Sequence, residues 1–256
     1  MKITGVIQAR TSSKRLPNKV LLPVLERPLI LHQIERIKRS KMLNQIILAT
    51  SIHHTDNELF DILNKNGVNT FRGSLENVLE RFYQCAKKFD SDVIVRLTGD
   101  CPLNDPDLID EIIQFYLESN FSYVGNSIDS DKLTVPDGFD MEIFSFSILE
   151  KAYKEAKLPS EKEHVTPWMR SENSSFNWTH FEHKRKRKYY RLSVDHMKDF
   201  LLIKSIIENF SNQRTNYSID EIIEFCDNNP SLSLSNISIP RNEGYTKSLI
   251  NEELSL

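Results

Sequence analysis

Over its first 125 residues the chain alternates short, β-branched apolar runs with amphipathic stretches of helical period, a rhythm few folds accept. ITGVIQA (3–9) reads as a buried strand. PLILHQIERIKRS (28–40) sets Leu31, Ile34 and Ile37 on one face and charges opposite, which predicts a helix. QIILAT (45–50) is a second strand, TDNELFDILNKNG (55–67) a helix with an Asp or Thr start and a Gly stop, and VNTFRG (68–73) a short strand. SLENVLERFYQCAKKF (74–89) spaces Leu75, Val78, Leu79, Phe82, Ala86 and Phe89 three or four apart, with Ser74 as the expected cap. DVIVRLT (92–98), DPDLIDEIIQFYLES (105–119) and FSYVGN (121–126) continue as strand, helix, strand. Such repetition predicts βαβ units: an α/β fold with a mostly parallel sheet and helices on both faces. Ligands of open α/β sheets sit beyond the C-terminal strand ends, so the loops after the first and fourth strands are the first places to look for chemistry.

Past residue 126 the rhythm breaks. VPDGFDMEIFSF (135–146) reads as loop then strand, SILEKAYKEA (147–156) as helix, YYRLSVDH (189–196) as a late strand ending in a charged loop, and DFLLIKSIIENF (199–210) as an amphipathic helix. The stretch 127–188 looks like an insertion on a continuous core spanning 1–210, and 211–256 like an extension with one helix, YSIDEIIEFCDNN (217–229).

Composition excludes several classes. A net charge of -3 gives no basis for binding nucleic acid or an anionic membrane, so any anion site must be local. The basic run HKRKRK (183–188) lacks interleaved aromatics and reads as a solvated loop. Cys85, Cys101 and Cys226 are widely spaced, with no CxxC and no Cys/His ligand spacing, which argues against a disulfide framework or structural zinc and for a reducing compartment. The start MKITGVIQAR does not read as a signal peptide, and no apolar run approaches the about 18 residues of a spanning helix; a soluble, cytoplasmic protein is expected.

The loop after the first strand, ARTSSKRLPNK, carries Arg10, Lys14, Arg15 and Lys19. It has no Walker A or GxGxxG pattern, so it is either a solvated turn or a phosphate cradle of backbone amides and cations; its place after strand one favours the cradle. Asp100, in RLTGDCP after the fourth strand, is placed to bind Mg²⁺ bridging to phosphate, or to make a local turn. Asp195 ends the late strand, and the two carboxylates could share one or two metals. Asp137, Asp140 and Glu142 fall within six residues; Asp140 and Glu142 share one side of a strand, either the solvent face of an edge strand or a row that bonds sugar hydroxyls. His164, in SEKEHVTPW, is structural or catalytic.

Taken in order, VIQARTSSKRLPNKVLLPV, FRGSLENVLERFYQCAK, VIVRLTGDCPLNDPDLID, VPDGFDMEIFSF, EKEHVTPWMR and RLSVDHMKDFLLI resemble the characteristic segments of the cytidylyltransferases that activate acidic sugars as CMP-sugars. The acylneuraminate and 3-deoxy-manno-octulosonate (KDO) enzymes belong there, and the spore-coat-polysaccharide branch is the most similar. The resemblance covers roughly residues 1–210 and implies a Rossmann-like nucleotide-diphospho-sugar transferase fold, CTP as donor, Mg²⁺ dependence, an acidic sugar as acceptor, and a homodimer in which the inserted segment takes part. By motif it implies that Ala9, Arg10, Ser13, Arg15 and Lys19 contact CTP phosphates and ribose, that Arg72 and Asn77 lie near the cytosine, and that Asp100 and Asp195 hold Mg²⁺. Arg10, Lys19 and Asp100 would carry the chemistry. Asp137, Asp140 and Glu142 would read acceptor hydroxyls, and His164, Arg170 or Arg191 its carboxylate. The branch commonly has Gly at the positions of Ser12 and Asn18 and Thr at Lys14; Asn tolerates the left-handed backbone Gly would supply, Ser less so. Two other readings remain. One is a glycosyltransferase, although Gly99-Asp100-Cys101-Pro102 lacks the Asp-x-Asp of that class; the other is a non-catalytic nucleotide-binding protein.

Overall fold

The computed structural model describes residues 1–187, 190–211 and 216–254. Its chain order is β1 (Ile3–Gln8), a small hairpin of β2 (Pro23–Val24) and β3 (Arg27–Pro28), α1 (Leu29–Ile37), β4 (Gln45–Ser51), α2 (Asn57–Lys65), β5 (Thr70–Gly73), α3 (Val78–Lys88), β6 (Val93–Thr98), α4 (Pro106–Glu118) and β7 (Tyr123–Gly125). There follow β8 (Glu142–Ser145), α5 (Phe146–Glu155), α6 (Pro159–His164), β9 (Trp178–His180), α7 (Met197–Ser211), α8 (Ile219–Asn228), α9 (Pro230–Ser233) and α10 (Glu243–Glu253).

Seven strands form one sheet in the order β5-β4-β1-β6-β8-β7-β9. β8 runs antiparallel to both its neighbours, and every other pairing is parallel. The expected mostly parallel α/β sheet is therefore the observed one. Strand pleating divides the core. In β6, Val93, Val95 and Leu97 pack on the face covered by α1, α2, α4, α7 and α8, while Ile94 packs under α3 and α5. Each fully buried Val, Ile or Leu side chain contributes about 1.5–3 kcal/mol, so both faces hold the sheet firmly.

Some local expectations change. Helix α3 begins at Val78, not Leu75: Asn77 caps it, its side chain accepting from the Glu80 amide, while Ser74 Oγ accepts from the Asn77 amide. β8 lies inside the sheet between β6 and β7, so Glu142 faces no solvent and the edge-strand reading fails. Among the described residues the late segment around Arg191 is not a strand and makes a single bridge, Asp137 to Arg191. Residues 127–187 supply β8 and β9 to the main sheet as well as α5 and α6. After α7 the chain returns to the core: Ile219, Ile222 and Cys226 of α8 join the α1/α4 face, and Arg36 stacks over Tyr217 at 4.1 Å while donating to its carbonyl. Lys188 of the basic run lies outside the described residues. All three cysteines are buried and free. Among the described residues no helix is long and apolar enough to cross a membrane.

Candidate active site

β1 and β6 are neighbours, with Gln8 opposite Thr98 at their C-terminal ends. The loops leaving these two ends touch at once: the Gly99 amide donates to Gln8 O at 2.8 Å, and a Cβ on Gly99 would come 2.8 Å from the Ala9 Cβ. Only glycine allows that approach.

The loop after β1 is pinned at Thr11, while Arg10, Ser12 and Lys14 stay exposed. Thr11 donates its amide and its hydroxyl to Asp56 Oδ1, both at 2.8 Å, and its carbonyl accepts from the Ser13 and Asn18 amides at 2.9 Å. Asp56 is buried and also takes the Ser51 amide and hydroxyl; burial pushes its pKa up, but these bonds from Ser51 and Thr11 outweigh it and hold the carboxylate ionised. Asn18 adopts φ 55°, ψ 21°, the left-handed geometry expected of it, and opens the 3-10 turn Lys19–Leu21. Ser12 is exposed and has no positive φ, so its position makes no demand for glycine.

That turn sends Lys19 into the centre of a cleft of about 620 Å³. Its Nζ donates to Asp100 Oδ2 at 3.0 Å, Asp195 Oδ1 at 2.8 Å and the Val194 carbonyl at 2.8 Å. Burial opposes the ammonium charge, yet the two carboxylates prevail and raise the Lys19 pKa. Burial likewise works against ionising Asp100 and Asp195; Lys19, joined at Asp195 by Arg15, overcomes it and holds both below the usual carboxylate range.

Asp195 is held in place from behind. Arg191, 4% exposed, donates to Asp137 Oδ2 at 2.8 Å, Asp195 Oδ2 at 3.2 Å and Asp199 Oδ1 at 3.1 Å. Asp199 accepts from the amides of Asp195 and His196. Gly138 makes this junction possible: at φ +106° its Cα faces the Leu192 backbone, where a Cβ would stand 2.4 Å from Leu192 C and O. The acidic motif thus enters the cleft as a buried ion-pair cluster. Asp140 pairs with Arg241; burial, aided by Asp137, nevertheless raises its pKa to about 6. Burial also raises that of Asp137 against the pull of Arg241 and Arg191.

Glu142 sits on the cleft floor with both oxygens engaged, by Arg96 on one side and by the Tyr123 and Thr166 hydroxyls on the other. Burial pushes its pKa up, but Arg96 and Arg170 keep it ionised. His164 Nε2 shares a hydrogen bond with Ser248 Oγ at 2.9 Å and its ring meets Tyr245 edge-on; burial lowers its pKa, so it is neutral at pH 7.

Of the candidate contact and catalytic residues named from the sequence, all but two line this one cleft. The exceptions are Arg72 and Asn77. Arg72 donates to the carbonyls of Ser51 and His53 and to Asn57 Oδ1, and borders a neighbouring cavity of about 790 Å³. Asn77 caps α3. Arg81 lines both cavities, and burial together with nearby Arg10 lowers its pKa to about 10. Sequence reasoning passed over Arg81, Arg96, Arg241 and the α10 residues Glu243, Tyr245 and Ser248, which also line or hold the cleft. Arg81 and Arg96 lie within the segments FRGSLENVLERFYQCAK and VIVRLTGDCPLNDPDLID; Arg241 has no local signal, since its partner Asp140 is 101 positions away.

A family model described as cytidylyltransferase matches residues 4–239. The chain belongs to the cytidylyltransferase family. It is 42% identical over 247 residues to an uncharacterized protein of Methanocaldococcus jannaschii, covering 96% of this chain and 98% of that one. It is 32% identical over 237 residues to the spore coat polysaccharide biosynthesis protein SpsF of Bacillus subtilis, covering 89% and 95%. Among solved structures, a cytidylyltransferase from Leptospira borgpetersenii superposes with a TM-score of 0.85 at 34% identity, covering 94% of this chain and all of that one. A CMP-KDO synthetase complexed with CTP superposes at 0.64 with 17% identity, covering 82% and 99%, which is a likeness of fold. This cytidylyltransferase is accordingly a nucleotidyltransferase enzyme, built on the Rossmann-like sheet of its relatives.

Proposed function

We propose that the enzyme transfers CMP from CTP to a hydroxyl of an acidic sugar and releases pyrophosphate. The observation that carries this reading is the convergence of Lys19 with Asp100 and Asp195 beside a cation-bearing loop. The acceptor oxygen attacks the α-phosphorus, the bond from that phosphorus to the bridging oxygen breaks, and pyrophosphate departs in line while the hydroxyl proton passes to solvent or a cleft carboxylate. Little covalent chemistry falls to the protein in such a transfer; positioning and charge neutralisation dominate. Arg10, Arg15 and Lys19 neutralise the departing pyrophosphate, and Ala9 and Ser13 border the phosphates and ribose. Arg72 remains assigned to the cytosine end, where Arg81 lines both cavities, and Asn77, which lines neither, supports that end by capping α3.

Mg²⁺ belongs to this reading. The donor set suits it: Asp100 Oδ2 and Asp195 Oδ1 converge within 3.0 Å of the Lys19 ammonium, and Mg²⁺ favours one or two carboxylates with the remaining positions filled by phosphate and water. When bound by Asp100 and Asp195, the ion would supply charge neutralisation and acidify the attacking hydroxyl.

For the acceptor, the state of each candidate cation supports Arg170. Arg191 is engaged by three carboxylates and His164 is neutral, whereas Arg170 lines the cleft, lies 5.9 Å from the Tyr123 ring, and its Nε has no hydrogen-bond partner. Arg170 would take the sugar carboxylate, with Asp137 and Asp140 beside the hydroxyls. The name of the SpsF relative, a spore coat polysaccharide biosynthesis protein, suggests a surface polysaccharide as destination. A cytoplasmic homodimer, joined through the 127–187 segment where Trp178 stays exposed on the edge strand β9, completes the reading. Pyrophosphate release from CTP and Mg²⁺, screened over KDO, N-acetylneuraminate and other sugar acids against neutral sugars, tests it. Release with neutral sugars only, or with none, overturns the acidic acceptor.

A further inference from the structure

The family match stops at residue 239, yet the cleft wall continues into α10. This helix buries no side chain of its own. Polar contacts hold it: Glu252 accepts from the Ser160 amide at 2.9 Å, and Ser248 meets His164 and Glu163, both at 2.9 Å. On its first turn Glu243 gathers three cationic or titratable partners. Lys247 Nζ lies 2.6 Å from Oε1, His196 Nε2 3.3 Å from Oε2, and Arg15 Nη1 3.7 Å from Oε2. The other arm of Arg15 is on Asp195 at 2.5 Å. Glu243 therefore places a carboxylate on the guanidinium that, in the reading above, receives phosphate.

We infer that Glu243 is a positioning residue of the nucleotide site: it fixes Arg15 and sets triphosphate affinity by standing where the incoming phosphates carry their charge. The inference rests on the CTP reading. Nucleotide binding brings several negative charges to a side chain that is itself ionised, since its bonds from Lys247 and His196 lower its pKa. Arg15 and Lys247 then exchange Glu243 for phosphate oxygens, and α10, which buries no side chain and rests on surface polar contacts and the Tyr245–His164 ring contact, yields at little cost.

Calorimetric titration with CTP, CMP and pyrophosphate, each with Mg²⁺, on the wild type, Glu243→Gln and Glu243→Asp tests this. Glu243→Gln should bind CTP and pyrophosphate about threefold to tenfold more tightly, the size of one relieved like-charge contact, with CMP affinity unchanged and Glu243→Asp close to wild type. A merely structural role in seating α10 would shift CTP and CMP alike. Equal CTP affinity in wild type and Glu243→Gln, or an equal shift for CMP, overturns the inference while leaving the nucleotide reading in place. Failure of both forms to bind CTP overturns the nucleotide reading and this inference with it.

Discussion

Lys19 and Asp195, 176 positions apart, meet at 2.8 Å in the cleft, and the same ammonium reaches Asp100 at 3.0 Å. This ammonium, joined at Asp195 by Arg15, keeps the two loop carboxylates ionised side by side. Lys19→Ala removes it and leaves Asp100 and Asp195 facing each other, each raising the other's pKa. Turnover of CTP should fall by roughly 10²–10³-fold, the usual loss when one preorganised charge contact is deleted. Steady-state pyrophosphate release measures it, and a loss below about tenfold removes Lys19 from the chemistry.

Asp100→Asn keeps the shape of the side chain and its bond with Lys19 but halves the anionic pair. We expect pyrophosphate release to be abolished while the melting temperature stays within a few degrees of wild type, because Asp100 is partly exposed, at 29%. Unchanged turnover would take Asp100 out of the Mg²⁺ site; a large fall in melting temperature would show that its role is structural.

How far these two residues were visible beforehand depends on what each signal required. Sheet class followed from β-branched runs alternating with amphipathic helices, which depend only on local burial, and Lys19 and Asp100 followed from strand-end position. The antiparallel β8 was not legible, because the period of Glu142–Ser145 fixes faces and not direction. Nor was the burial of Glu142, whose partners Arg96, Tyr123 and Thr166 come from three separate elements. The late segment Arg191–Asp195 looked like a strand because its apolar alternation is real; Leu192 and Val194 are buried, but the chain there pairs at one bridge only. Arg241 and Glu243 stayed invisible for a plainer reason: a charged residue in an Asn- and Ser-rich tail signals nothing until folding brings Asp140 and Arg15 to it.

The Asp140 pKa of about 6 gives a stability signature of unusual sign. A carboxyl whose pKa is raised on folding binds more protons folded than unfolded between its ordinary value near 3.8 and about 6, so stability falls as pH rises through that window. Asp195 behaves oppositely: its pKa is lowered, so its contribution is present above about pH 4 and is lost as pH falls further. Comparing wild type with Asp140→Asn by urea denaturation isolates the first effect. The stability of wild type relative to the variant should decline by about 1–3 kcal/mol from pH 4 to pH 7. A flat difference over that range would show that Asp140 titrates normally.

Gly138 carries no charge, yet it holds the acidic motif and the Arg191 segment together. Its φ of +106° is strained for any L side chain, and a Cβ there would meet Leu192 C and O at 2.4 Å and Ser193 N at 2.7 Å, all backbone atoms that no rotamer change can move. Gly138→Ala should therefore force the 135–140 loop away from residues 190–194. The direct bonds at risk are Leu192 N to Asp137 O at 2.7 Å and Arg191 to Asp137 at 2.8 Å, which between them align Asp195. We expect a loss of about 2–4 kcal/mol in unfolding free energy, from backbone strain and broken buried bonds together. CTP turnover should fall with it even at temperatures where the variant stays folded, because Asp195 loses the guanidinium that aims it at Lys19. Chemical denaturation and pyrophosphate release on the same preparation measure the two effects. Wild-type stability in Gly138→Ala would mean that the junction can open without cost.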